Sequence, residues 1–148
     1  MVDGFDVTVD GIPKAQPRPR ACARGKFVTM YDPGTAKPWK AAIKKSIAAV
    51  WNGRAHGGPL HVTLCFLMPR PKSHCKADGR LKHPAPYYHI GKPDSDNLAK
   101  AALDAMTDLG VWLDDSQVSH LEVIKLYSLK PGARIILRPA PDTDHIRS

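Results

Sequence analysis

Hydrophobic residues recur with two different spacings along this chain, and the change of spacing separates strands from helices. From Phe5 to Ile12 every second residue is apolar, which predicts a β-strand with one buried face. From Leu60 to Met68 apolar residues stand on both sides of the alternation, so this strand is expected at the centre of a sheet. Lys26 to Tyr31 favours a short strand, whereas residues 13–25, rich in proline and arginine, are interpreted as a loop.

Two segments have the three- and four-residue spacing of amphipathic helices. The first is predicted from Thr35 to Trp51, with Pro38 in its first turn, where a missing N–H costs nothing. The second is predicted from Ser95 to Leu109 and ends at Gly110. The apolar face of the first helix is expected to comprise Trp39, Ile43, Ile47, Val50 and Trp51.

The remaining pattern completes a small α/β (α+β) fold. Residues 118–128 and 133–138 are predicted to form a hairpin through Lys130-Pro131-Gly132. No internal repeat is present, so we expect a single domain over residues 1–148, with a small mixed sheet packed by two main helices. Residues 69–92 are expected to form a long basic loop, and residues 139–148 a flexible tail.

The charge of the chain predicts a polyanionic partner. The 148 residues carry a formal net charge of +8, which favours binding to nucleic acid because contacted phosphates release counterions. A generally solvated basic surface is the alternative, but the basic residues cluster on either side of an acidic centre, as a metal-using nuclease requires. The candidate DNA-binding residues are Lys14, Arg18, Arg20, Arg24, Lys26, Arg70, Lys72, Lys76, Arg80, Lys82 and Lys92.

Cysteine usage and hydropathy favour an intracellular protein. The three cysteines are an odd number without framework spacing, which fits a reducing compartment. The N-terminus lacks the features of a signal peptide, and the longest apolar run is about half of what a membrane helix needs. We therefore expect a soluble, cytoplasmic, nucleoid-associated protein with no membrane partner.

Acidic residues lie at two places between positions 94 and 115. Asp94 and Asp96 open the second predicted helix, where one carboxylate would serve as an N-cap; two exceed that need. Asp114 and Asp115 form a second pair, for which a solvated turn is the alternative. The second predicted helix and a short strand after it would return the chain, so that both acidic groups could meet at the start of the helix. Three carboxylates there would supply the oxygen ligands that Mg²⁺ prefers.

Lys100 lies four residues after Asp96 and on the same helical face. It would form either an ordinary ion pair with Asp96 or a contact that offsets charge on a scissile phosphate. The residues alone leave both interpretations open.

The acidic motif resembles a known family. Asp94-x-Asp96-Asn97-Leu98-x-Lys100-Ala101-x-x-Asp104-Ala105, followed by Gly110-x-Trp112-x-Asp114-Asp115-x-Gln117-Val118, resembles the RusA family of Holliday junction resolvases. This core covers about a quarter of the chain, and weaker similarity extends to residues 11–20.

The resemblance implies a homodimeric Mg²⁺-dependent (or Mn²⁺-dependent) endonuclease that nicks four-way DNA junctions symmetrically. Asp94, Asp96 and Asp115 would be its metal-binding catalytic carboxylates, with Asp114 in support and Lys100 as the catalytic lysine. Asn97 would support the site from behind the ligands, and Asp104 would be a structural partner within the helix.

Other interpretations remain open at this point. A catalytically silent DNA-binding protein would use the aspartates as caps and turns, and a nuclease of the same fold would prefer other branched DNA. Tyr87 and Tyr88 would either stack on exposed bases or pack the long loop onto the body. A zinc site in that loop would have to use His74, Cys75, His83 and His89, which lack standard ligand spacing.

Overall fold

The computed structural model describes residues 4–25, 27–31 and 34–147. The strands are β1 (Phe5–Asp10), β2 (Arg20–Arg24), β3 (Phe27–Tyr31), β4 (Leu60–Pro69), β5 (Val118–Ser128) and β6 (Gly132–Pro139). The helices are α1 (Lys37–Ala48), α2 (Ser95–Leu109) and the short α3 (Asp144–Arg147). Single 3₁₀ turns occupy Lys72–His74 and Asp115–Gln117. The α+β class expected from the sequence is confirmed.

The main sheet has four strands in the order β1-β6-β4-β5. Strand β4 runs parallel to β5 and antiparallel to β6, and β1 runs antiparallel to β6, so the sheet is mixed. The central position predicted for β4 is confirmed. Its alternate residues from Leu60 to Met68 are buried, which places them in the core beneath the helices.

The predicted hairpin of the last two strands is wrong. Strands β5 and β6 are both present but lie on opposite sides of β4, and only three residues connect them. Such a connector can cross one intervening strand, since two strand spacings amount to about 10 Å. The position of β6 also requires Gly132, because a Cβ there would lie 2.4 Å from the carbonyl oxygen of Val9 in the β1 region of the sheet.

A second sheet of two strands was missed in part. Residues 20–24, interpreted from the sequence as loop, form β2 and pair antiparallel with β3. Arg20, Cys22 and Arg24 alternate with two alanines, which is a strand pattern. The prolines and arginines just before this segment favoured a loop and led to the wrong prediction. Strand β3 was predicted, with its first residue now at Phe27; Lys26 lies outside the described residues.

Helices α1 and α2 pack on one face of the main sheet. Trp39, Ile43 and Ile47 are buried as predicted, but α1 ends at Ala48, so Val50 lies beyond it and is exposed. Helix α2 has the predicted bounds, and Gly110 ends it with a positive φ of 87°. Two ion pairs on the surface join the helices: Lys40 with Asp104 and Lys44 with Asp108.

No helix in the described part of the chain has the length and apolar composition needed to cross a bilayer.

Candidate active site

The first acidic group lies where the long loop joins α2. Asp94 is the N-cap residue of the helix by backbone position, but its side chain makes no capping hydrogen bond. Its two carboxylate oxygens instead accept from Nζ of Lys92 at 2.9 and 3.0 Å. This contact, followed by the charges of Lys125 and Arg18, holds the pKa of Asp94 below its ordinary value. The capping interpretation therefore does not explain the Asp94 side chain.

The second acidic group lies on the turn before β5, and a single side chain fixes that turn. Gln117 accepts the backbone N–H groups of Leu113 and Asp114 at 2.9 and 3.1 Å through Oε1. Its amide nitrogen donates to the carbonyl oxygens of His56 and Gly58 at 2.9 and 3.1 Å. Four hydrogen bonds from one glutamine thus anchor the acidic turn to the segment before β4.

Asp114 and Asp115 have different surroundings although they are adjacent. Oδ1 of Asp114 accepts the N–H of Ser116 at 2.9 Å, which lowers the pKa of Asp114 and caps the 3₁₀ turn. Desolvation, and then the carboxylates of Asp114 and Asp104, raise the pKa of Asp115, while Lys100 opposes this rise. Asp115 is therefore an acid whose negative charge is not compensated by its immediate neighbours.

One cavity of about 400 Å³ brings the predicted residues of α2 and of the acidic turn together. It lies between α2 and the inner face of β5, and its walls include Leu121 and Val123 of that strand. The polar side chains on its wall are Ser95, Asp96, Lys100, Asp104 and Asp115. Asp96, Lys100 and Asp115 thus share a cavity, while Asp94, which was expected to meet them, lies at the start of the same helix, paired with Lys92.

Lys100 does not form the ion pair that was considered from the sequence. Its Nζ lies 4.0 Å from Oδ2 of Asp104, one turn further along α2, and its side chain is 63% exposed. Nζ of Lys40 in α1 lies 3.9 Å from the same Asp104 oxygen, and that lysine is only 16% exposed. Lys100 therefore makes only a long ion pair and lies, mostly exposed, on the cavity wall.

Asp104 and Lys40 were missed as members of this site. Asp104 was expected to be structural, yet it lies on the wall of the cavity and of an adjoining one that also contains Asp114 and Asp115. The i,i+4 spacing of Lys100 and Asp104 was the available signal. Nothing in the sequence indicated Lys40, because its contact depends on how α1 packs against α2.

The carboxylates are gathered but not closed into a ready-made metal cage. In residues 4–25, 27–31 and 34–147, no three side chains of Asp, Glu, His or Cys lie close enough to hold a metal ion. This also leaves the zinc interpretation of the loop without a ligand set; His74 and His89 pack edge-on against Tyr127 instead. Mg²⁺ needs only one or two carboxylates with water and phosphate oxygens, so Asp96 and Asp115 are a suitable donor set.

The candidate DNA-binding residues divide by position. Lys14 and Arg18 are exposed between β1 and β2, beside α2, because the N–H of Gln16 donates to the carbonyl of Asn97 at 3.0 Å. Arg20 and Arg24 lie in β2, and Lys26 is outside the described residues. The remaining lysines of the long loop are exposed: Lys72, Lys76, Lys82 and Lys92.

Two arginines of that loop have partners within the protein. Nη1 of Arg70 donates to the carbonyl of Pro86 at 2.7 Å, and its guanidinium lies 5.5 Å from the ring centre of Tyr127. Arg80 forms an exposed ion pair with Asp78 at 2.6 Å. Arg70 therefore holds the loop in place, in addition to any contact with DNA.

Comparison with known proteins shows the family of this chain. The family model for "Endodeoxyribonuclease RusA" matches residues 10–138, which includes both acidic groups, Lys100 and most of the sheet. The chain belongs to the RusA family. The resemblance noted in the acidic motif is thereby confirmed.

One relative matches almost the whole chain, and others match a short segment and have a named activity. The uncharacterized protein YqaN of Bacillus subtilis strain 168 is 33% identical over 144 residues, covering 93% of this chain and 97% of that protein. The crossover junction endodeoxyribonuclease RusA of Escherichia coli K12 is 54% identical over 39 residues. That alignment spans 26% of this chain and 32% of the E. coli protein. The homologous enzyme of Enterobacteria phage 82 is 51% identical over the same length.

Proposed function

We propose that this chain is a metal-dependent endonuclease that resolves four-way DNA junctions by paired symmetrical nicks, in DNA recombination and repair. The observation that carries the proposal is the cavity shared by Asp96, Lys100 and Asp115 in a chain of the RusA family. The name of the E. coli relative, a crossover junction endodeoxyribonuclease, supports the reaction and the substrate. Because that match covers a third of the relative, activity and substrate are transferred here as a proposal.

Mg²⁺, or Mn²⁺ in its place, would be held by Asp96 and Asp115, with Asp94 as a third ligand. Asp96 and Asp115 are exposed oxygen donors on the cavity wall, and Asp94 is a half-buried one at the start of the same helix, which suits a hard cation that keeps some of its water. Desolvation, and then the carboxylates of Asp114 and Asp104, raise the pKa of Asp115, and this supports the assignment because a nearby cation would stabilise its charged form. When bound, the metal would supply Lewis acidity to the hydrolysis.

The chain's own residues have defined tasks in the proposed reaction. Asp94 and Asp96 would hold the metal at the start of α2, and the ammonium of Lys100 would bind the phosphodiester and offset the charge that grows on its phosphoryl oxygens. The oxygen of a water molecule bonds to phosphorus while the bond to the 3′-oxygen breaks. The products are a 5′-phosphate and a 3′-hydroxyl, with the water's proton passing to solvent and the leaving oxygen taking one up.

DNA binding is assigned to the basic surface on both sides of the cavity. Lys14 and Arg18 lie beside the start of α2, and the exposed lysines of the long loop lie before it. Contacts of this kind bind phosphates of any sequence and weaken as salt is raised. Junction selectivity must then come from how two sites are spaced, and we assign it to a homodimer whose twofold axis matches that of the junction.

The competing function is a silent DNA-binding protein, and neutral variants separate the two. We expect Asp96→Asn and Asp115→Asn to bind a labelled junction in EDTA at least as tightly as wild type, since a negative charge is removed. In Mg²⁺ the same variants should lose nicking by about 10²-fold or more. Lys100→Ala should lose nicking to a similar extent while keeping its thermal stability, because its ion pair is long and exposed.

Wild type that binds the junction but leaves it, flaps and forks uncut in Mg²⁺ and Mn²⁺ would favour the silent protein. Cutting of flaps or forks in preference to the four-way junction would retain the nuclease and reject its proposed substrate.

A further inference from the structure

Lys125 interrupts an otherwise apolar row on the inner face of β5. The residues of this face pair with buried residues of β4, and Lys125 stands opposite Phe66, which is fully buried. Val123 precedes it on the same face, and Tyr127 follows. An apolar residue would suit this position better, because a half-buried ammonium loses hydration that must be replaced by hydrogen bonds.

The ammonium of Lys125 finds its partners in the backbone just before the acidic motif. Nζ donates to the carbonyl oxygens of Gly91 and Pro93, each at 2.8 Å. The backbone carbonyl of Lys125 in turn accepts the N–H of His89 at 3.1 Å. In the described part of the chain no carboxylate lies within 4.0 Å of this ammonium, so it does not serve as half of an ion pair.

These contacts tie the end of the long loop to the central part of β5. Pro93 immediately precedes Asp94, and α2 begins with the next residue. Segments without regular structure are held by few bonds and otherwise sample many conformations. A charge-assisted bond to each of two carbonyls restricts the backbone from which Asp94 and Asp96 project.

We propose that Lys125 is a positioning residue of the metal site, fixing the Gly91–Pro93 backbone so that Asp94 and Asp96 are presented together. The inference rests on the proposed function. Lys125 touches neither the cavity's polar wall nor, by this proposal, the DNA. Removal of a group that supports metal ligands from behind typically lowers metal affinity by about 10–100-fold.

The test measures metal binding by the protein alone. Mn²⁺ is titrated with wild type, Lys125→Met and Lys125→Arg, and free Mn²⁺ is followed by its electron paramagnetic resonance signal. Lys125→Met should bind Mn²⁺ about 10-fold or more weakly, while Lys125→Arg, which keeps N–H donors and charge, should recover most of the affinity. Lys130→Met, at an exposed lysine just after β5, is the matched control and should bind as wild type does.

Thermal unfolding of each variant separates positioning from folding. Equal Mn²⁺ affinity in folded Lys125→Met and wild type would overturn the proposal while leaving the proposed function intact. Should Lys125→Met not fold, Lys125→Gln replaces it with the same expected loss of affinity. Wild type that binds no Mn²⁺ would instead overturn the metal site itself, and the role of Lys125 with it.

Discussion

The side chains of Asp114 and Asp115 differ in what they contact, and this difference assigns them separate tasks. Oδ1 of Asp114 accepts the N–H of Ser116, so Asp114 stabilises the turn. Asp115 lies on the cavity wall with Asp96 and Lys100. Gln117 accepts the backbone N–H of Asp114 and donates to the carbonyl of His56, which anchors the turn that carries both residues.

Substitution by asparagine should therefore have opposite results at the two positions. Asp114→Asn keeps the oxygen that caps the turn, because Asn and Asp are equally good caps, and should retain nicking within about threefold and an unchanged Tm. Asp115→Asn should unfold at the same or a higher temperature, since a raised pKa marks an unfavourable charge. Its nicking in Mg²⁺ should fall by about 10²-fold or more.

Rates on a labelled junction and calorimetric melting curves measure both expectations. Equal losses of nicking in the two variants would show that Asp114 is also a ligand, and the separation of tasks would be wrong.

Residue identity made part of this site predictable. Two acidic groups, separated by a helix with a clear apolar stripe, were enough to predict that the start of α2 and the turn before β5 lie close together, but not that Asp94 would lie outside the shared cavity. The contacts of Lys40 and Lys125 were not predictable, because each joins elements that are distant in sequence. The capping interpretation of Asp94 failed for a local reason: Lys92, two residues earlier, competes for its carboxylate.

At the level of elements, the outer face of the β4–β5 pair carries a histidine, His61, that makes the stability of the fold depend on pH. His61 and His120 occupy paired positions, and their rings stack with centroids 3.8 Å apart. Burial, and then the charges of His120 and Arg138, lower the pKa of His61 from 6.5, while Glu122 has the opposite effect. The folded state therefore favours the neutral imidazole.

The sign of the pH dependence follows from that direction. The stability contributed by neutral His61 is complete above pH 6.5 and is lost as the pH falls through the lowered pKa of the folded state. His120→Phe keeps a stacked ring but removes one source of charge. We expect the fall in Tm between about pH 8 and about pH 5 to be smaller in this variant than in wild type. An identical fall in calorimetric scans would contradict the assignment.

The long loop is the second element with a consequence for function. Tyr87 and Tyr88 are 60% and 63% exposed, and their rings meet edge-on with centroids 5.0 Å apart. Their backbone is held by β5, since the N–H of Tyr127 donates to the carbonyl of Tyr87 at 2.9 Å. The backbone, more than the rings, thus packs the loop onto the body, which leaves the rings available for bases.

Removal of these rings should weaken junction binding. Base–aromatic stacking is worth about 1–3 kcal/mol per base, so Tyr87→Ala or Tyr88→Ala should raise the Kd for a four-way junction by about 5-fold or more. The Kd for a fully paired duplex should change less, and phenylalanine at either position should bind as tyrosine does. Fluorescence anisotropy in EDTA provides the measurement. An unchanged junction Kd with a lowered Tm would assign the rings to packing.

The elements also show where sequence patterns were insufficient. The bounds of α2 followed from its stripe and from Gly110, signals that are local to the helix. The partner of β5 was mispredicted because a short connector suggested a hairpin, whereas β4 pairs along both of its edges, with β5 on one side and β6 on the other. Pairing of strands is a competition among all of them, and a local turn signal cannot decide it.

At the scale of the whole molecule, the proposed DNA contacts belong to basic residues on either side of the acidic groups in the sequence. Lys14 and Arg18 lie beside the start of α2, and Lys92 lies two residues before Asp94 and contacts its carboxylate. The other lysines of the long loop are exposed. The proposed homodimer would place two such regions about a twofold axis, and sedimentation at assay concentration would detect it.

The most direct test of the proposed function is cleavage of a labelled, mobile four-way junction by wild-type protein in Mg²⁺, beside the same reaction in EDTA and a duplex of matching sequence. We predict nicks at symmetrical positions on two opposing strands of the junction, none in EDTA, and an uncut duplex. Binding of the junction without any cleavage in Mg²⁺ or Mn²⁺ would contradict the account.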